Sequence, residues 1–155
     1  MKMRSGGTRL RSILIGVFAI FAVCAFAADA SQEPPSAPTR PVGTMSDLMV
    51  KMIYPTSDAI FYIETRTPKT EVEWGELQAK TLTLAESANL LMMPGRARDQ
   101  DRWMADAKLM LDAGMAAYAA AKKKDVDALI GLNDAVYQSC VVCHQHYRRN
   151  YGRRP

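Results

Sequence analysis

An all-α fold, an antiparallel four-helix bundle, is what this 155-residue chain predicts, and three observations predict it. Four segments repeat apolar residues in steps of three and four, the period of a helix with one buried face. Each segment opens on a capping residue or closes on a helix breaker. Alternating strand patterns and Asn-Gly or Asp-Gly hairpin turns are missing throughout.

The first segment runs from about Met45 to Thr65. Thr44 can cap it, with Asp47 as the return partner at the third helical position. Met45, Leu48, Met52, Ala59 and Tyr62 form its stripe, with Met49 beside it. Pro55 falls inside, so a kink or break is expected there. The second segment starts after Thr67-Pro68, where Thr70 and Glu73 make a capping box. Its stripe is Trp74, Leu77, Thr81, Leu84, Ala88 and Leu91, and Pro94-Gly95 ends it.

The third segment starts near Asp99 or Asp101. Trp103, Ala107, Met110, Gly114, Ala117 and Ala121 line it, small enough in places for a neighbouring helix to come close. Lys122, Lys123 and Lys124 close it, where positive charge suits the helix dipole. They read as a solvated helix end, with a docking patch as the alternative. Asp99, Asp101 and Asp106 read as helix-start and surface charges. The fourth segment begins at Asp125, an N-cap residue. Leu129, Leu132, Val136, Cys140, Cys143 and Tyr147 share one side of it. Helices of roughly 20 residues with short connections give a bundle about 30 Å long.

Before the bundle come two segments of a different kind. Lys2, Arg4, Arg9 and Arg11 precede an apolar run from Ile13 to Ala28, with Ala-x-Ala ends near Ala27 and Ala30. Residues 1–30 thus read as a secretory signal peptide, too short in its apolar run for a stable membrane span. Residues 31–44 contain Pro34, Pro35, Pro38 and Pro41 and read as an extended linker. The domain is then 45–155, about 110 residues, enough for one core. Periplasmic export is the expected destination.

The formal charge of +4 comes largely from the leader. Residues 1–30 hold four of the 20 basic and one of the 16 acidic residues, which leaves 16 against 15, or +1. A basic balance suited to nucleic acid is absent.

The chemistry concentrates in Cys140-Val141-Val142-Cys143-His144, the C-x-x-C-H signature of c-type haem attachment. Two thiols three apart lie on one helix face and can add to the two haem vinyls as thioethers. The adjacent imidazole of His144 can then take the iron as proximal ligand. A zinc site is a poor alternative. The other cysteine, Cys24, lies in the leader. The other histidine, His146, is rotated by about 200° from His144. A redox dithiol would call for a βαβ context that the pattern lacks. Both cysteines belong to the apolar stripe, so the haem is expected inside the bundle.

The run from Cys140 through Tyr147 to Arg148 resembles the C-x-x-C-H-x-x-aromatic-Arg ending of the class II c-type cytochromes, the cytochrome c′ family. The resemblance covers about Met45 to Tyr151. It implies an exported four-helix bundle with one covalent haem c, held by Cys140 and Cys143 and ligated through His144. It also implies that Arg148 lies near the proximal haem face or a propionate, against the alternative of a solvent-exposed arginine. The family's first helix supplies the residue opposite. In low-spin members this is a methionine, four residues after a helix-starting arginine. Met49 stands four after Met45, without the arginine, so Met49 is the candidate sixth ligand and Met52 and Met45 are the fallbacks. Any of the ten methionines can also be core filler. In high-spin members an apolar side chain, here Leu48, would cover a five-coordinate iron.

Three functions follow as expectations. The first is an exported mono-haem one-electron carrier, not an enzyme, serving a redox partner protein and stable without membrane insertion once the leader is removed. In that reading Arg148, Arg149, Arg153 and Arg154 would neutralise propionates or steer an acidic partner. The second is a five-coordinate haem protein that binds a small gas such as nitric oxide. The third is a haem-free dithiol. The resemblance further implies pairing through the first two helices as a homodimer.

Overall fold

The structure, a computed structural model, describes residues 39–148 and residue 150. The expected leader, residues 31–38 of the Pro-rich segment, and Arg149, Arg153 and Arg154 lie outside the described residues. What is described is helical, with no strand among the described residues.

The N-terminal helix starts where Thr44 and Asp47 cap one another. Thr44 Oγ1 accepts from the Asp47 amide at 3.1 Å, and Asp47 Oδ2 accepts from the Thr44 amide at 3.0 Å. The helix has three successive parts: α1 (Met45–Leu48), a π-helical segment (Met49–Ile53) and α2 (Tyr54–Phe61). Pro55 is where the expected break would fall, and the chain answers it differently. Proline has no N–H and its ring crowds the carbonyl four residues back. One wide π turn just before it, in which the Tyr54 amide reaches the Met49 carbonyl, lets the helix continue. Thr56 helps by donating its hydroxyl to the Met52 carbonyl at 2.7 Å. The helix ends at Phe61, and turns carry the chain on through Thr65.

Helix α3 (Glu71–Met92) opens on the expected capping box. Glu73 N donates to Thr70 Oγ1 at 3.2 Å, and Thr70 N donates to Glu73 Oε2 at 2.9 Å. It stops before Pro94, and Gly95 takes φ 84°, a left-handed turn that suits a residue without Cβ. Pro41 lies against this turn, and Arg96 donates to the Gly43 carbonyl at 3.2 Å. The end of the expected linker is thus held against the helical domain.

Helix α4 (Arg102–Lys123) is started by Asp99, whose Oδ1 accepts from the Trp103 amide at 2.9 Å; Asp101 makes no side-chain cap. It ends at Lys124, a left-handed residue at φ 56°. Lys124 also pairs with Glu71 at the start of α3, and Lys122 lies over the Tyr118 ring at 4.6 Å. The single fourth helix expected from Asp125 is two: α5 (Val126–Gly131) and α6 (Asn133–Tyr147). Asp125 does cap α5, accepting from Ala128 N at 2.9 Å. The interruption is one residue, Leu132, between Gly131 and Asn133, both poor helix formers.

One apolar core joins these helices. Ile53 and Ile60, Leu84 and Ala88, Ala117 and Ala121, and Leu129 and Val136 all belong to it. Helices α3 and α4 share the most extensive packing, and α4 also packs on α6. The α3–α4 approach is closest at Gly114. A Cβ placed there would sit 2.8 Å from the Cα and N of Ala85. The close approach expected from the small residues of α4 is realised at this point. At the end of the pair, Trp103 donates its indole N–H to the Leu91 carbonyl at 2.8 Å, tying α4 to the last turn of α3. Among the described residues no helix is long and apolar enough to cross a membrane.

Candidate functional site

Helix α6 carries the whole C-x-x-C-H run. Spacing by three puts Cys140 and Cys143 on one face, and both are half-buried, as is His144. Facing them across a narrow cleft are Met49 and Ile53 of the π segment, Leu91 of α3, and Ala107 and Met110 of α4. The wall is apolar apart from Asp106 and Ser139. Ser139 satisfies itself by donating to the Val136 carbonyl at 2.7 Å.

The structure therefore brings together four of the five candidate site residues: Cys140, Cys143, His144 and Met49. The competing residues of the first helix face elsewhere. Leu48 (3 % exposed) and Met52 line a different hollow with Lys51, Leu90 and Arg96. Met45 packs on the core without reaching the cleft wall. Arg148, the fifth candidate, is exposed beyond the end of α6 and outside the cleft, yet its charge reaches His144.

The electrostatics follow from burial. The Cys143 thiol is pushed up to about 11 by loss of solvation, then by the negative charge of Asp106 and by Cys140. Cys140 is raised by the same desolvation, partly offset by its interaction with the Ser139 hydroxyl. Both shifts disfavour thiolate, the reactive form in disulfide exchange. His144 is lowered, by desolvation first and then by the Arg148 guanidinium. A neutral imidazole is the form that ligates a metal.

Two connections to α4 and its leading loop lie beyond what the sequence reading identified. Asp106 is buried, correcting its assignment as a surface charge, and its Oδ2 lies 2.7 Å from His146 Nδ1. Tyr147 donates its hydroxyl to Asp99 and stacks edge-on against Trp103, ring centroids 4.9 Å apart. The Tyr147 hydroxyl is held up to about 12 by lost solvation and by the Asp99 carboxylate. The signal for Asp106 was present: it stands three after Trp103 and four before Met110, on the buried stripe itself.

The donor set suits a covalently attached haem: two thiols for thioethers, a neutral imidazole and a thioether sulfur, on apolar walls. The cleft itself is closed to about 30 Å³. That is the scale of one or two water molecules, against about 300–1,000 Å³ for small-molecule sites. A porphyrin would need a wider cleft than this one. Among the described residues no group of three or more His, Cys, Asp or Glu is arranged to hold a metal ion directly. A haem iron needs only axial donors from the chain. Comparison of the chain with protein-family models, curated proteins and solved structures finds no match.

Proposed function

We propose that this chain is an exported mono-haem c-type cytochrome of the class II type. It works as a one-electron carrier in the periplasm and is built as an antiparallel four-helix bundle. The observation that carries this reading is the convergence of Met49 with Cys140, Cys143 and His144 on one apolar cleft, from opposite ends of the domain. Cys140 and Cys143 would hold the porphyrin, and His144 and Met49 would be the axial ligands. When bound, the haem supplies a reversible one-electron couple.

The chain's own residues do the rest. Ile53, Leu91 and Met110 keep water from the ligand side chains. Desolvation, with the Arg148 charge behind it, lowers His144 from its ordinary value and so favours the neutral form that ligates. The raised Cys140 and Cys143 thiols count against the dithiol alternative. Met49 facing the cleft while Leu48 faces away favours a six-coordinate carrier over a five-coordinate gas binder. A thioether ligand from Met49 would raise the potential of the bound haem. Arg148, beside His144, places positive charge where an acidic redox partner would dock.

The absorption spectrum tests the assignment. The expected oxidised protein is low-spin and the reduced protein ignores carbon monoxide, whereas Met49→Ala turns high-spin and binds it. A wild-type protein that is high-spin and binds carbon monoxide readily would transfer the function to gas binding. An unchanged Met49→Ala spectrum would remove Met49 from the iron.

A further inference from the structure

Asp106 is the charged side chain of the buried core among the described residues, at 4 % exposure. Burying a carboxylate is costly unless it is paired. His146 provides the pair, its Nδ1 2.7 Å from Asp106 Oδ2 across forty positions of sequence. An asparagine oxygen could also accept that hydrogen bond, though more weakly than a carboxylate, so the pairing alone does not call for a charge. Asp106 also lies on the cleft wall with Cys143, His144 and Met49.

Resting on the haem reading above, we propose that Asp106 is a positioning residue of the haem centre that places a fixed negative charge inside the cleft and thereby lowers the reduction potential. An oxidised haem carries one more positive charge than a reduced one. A carboxylate in a water-poor interior stabilises the oxidised form far more than it would at the surface. The ring N–H of His146 draws on the same carboxylate and limits the effect. Arg148 faces His144 from the exposed end of α6 and acts in the opposite sense.

The test is the midpoint potential of the haem-loaded protein in three variants. Asp106→Asn keeps the size and the acceptor for His146 and removes the charge. At a fixed ambient potential its oxidised-to-reduced ratio should fall about tenfold, a rise of about 59 mV for a one-electron couple. Asp106→Glu should return the wild-type potential. Asp106→Ser removes the charge with a smaller neutral side chain and should raise the potential in the same direction. Nitrogen NMR of the His146 ring reports independently that the bond to position 106 survives in Asp106→Asn.

A haem-loaded Asp106→Asn at the wild-type potential would overturn the proposal, as would shifts of opposite sign in Asp106→Asn and Asp106→Ser. Those results would leave Asp106 a bolt between α4 and α6. Should Asp106→Asn fail to fold, the other two variants decide: a raised potential in Asp106→Ser with a wild-type one in Asp106→Glu supports the proposal, and any other pair overturns it. Wild-type protein that carries no haem overturns this proposal and the proposed function together. Bound haem with an unmoved potential overturns this proposal alone.

Discussion

Gly114→Ala probes the contact that sets the spacing of α3 and α4, and so the placement of Leu91 and Asp106 on the cleft. In an open helix this change stabilises by about 1 kcal/mol, because alanine loses less backbone entropy. At Gly114 the new methyl would lie 2.8 Å from the Cα and N of Ala85 and 3.1 Å from its Cβ. Backbone atoms cannot rotate away as a side chain can, so the helices must separate. Overpacking of this kind costs about 1–3 kcal/mol, and a clash with backbone belongs in the upper part of that range. The net expectation is a loss of about 1–2 kcal/mol, or a melting point lower by roughly 4–8 °C for a domain of this size. Gly75→Ala is the matched control. It sits within α3 with nothing within 4 Å of the new methyl, so it should gain about the 1 kcal/mol that Gly114→Ala cannot keep. Thermal unfolding of the two variants beside wild type measures both. If the two substitutions stabilise equally, the close approach at Ala85 is wrong and the argument for the cleft's spacing goes with it.

Trp103→Phe should lower the urea midpoint without changing the slope. It leaves the buried Leu91 carbonyl without its indole donor, at a cost of about 1–3 kcal/mol. Acid stability should depend on Glu73, whose carboxyl is held below its ordinary value first by the Lys69 amide and then by the Thr70 amide. A depressed pKa contributes stability above the ordinary value of 4.5, lost as pH falls through the folded value. Glu73→Gln should therefore flatten the acid limb of a melting-point profile, and a parallel limb would contradict the assignment. Met49→Ala should convert the oxidised haem spectrum from low-spin to high-spin, read in the visible region with and without carbon monoxide.

The helix starts were legible because capping is local. Thr44 with Asp47, Thr70 with Glu73, and Asp125 all act on amides within a few residues, and each does so as its sequence neighbours imply. That Cys140, Cys143 and His144 share one helix was legible for the same reason. The π turn at Met49–Ile53 was not, because proline specifies only that a regular helix cannot pass unchanged. Whether the chain breaks, bends or widens depends on what Ile53 and Ile60 pack against, which local sequence does not contain. That turn also decides that Met49 faces the cleft and Met52 does not. The break at Leu132 was missed because Leu129, Leu132 and Val136 keep helical spacing across a one-residue interruption. Asp106 was missed for a different reason. Its stripe position said buried and its residue type said exposed, and its partner His146 is forty residues away.

The central claim is that Cys140 and Cys143 carry a porphyrin through carbon–sulfur bonds. Mass spectrometry under denaturing conditions tests it most directly, on protein produced alongside a cytochrome c maturation system. The account predicts a coloured chain whose mass exceeds that of the polypeptide by one haem, with the excess lost when Cys140 and Cys143 are both replaced by alanine. A colourless chain of bare polypeptide mass would contradict it.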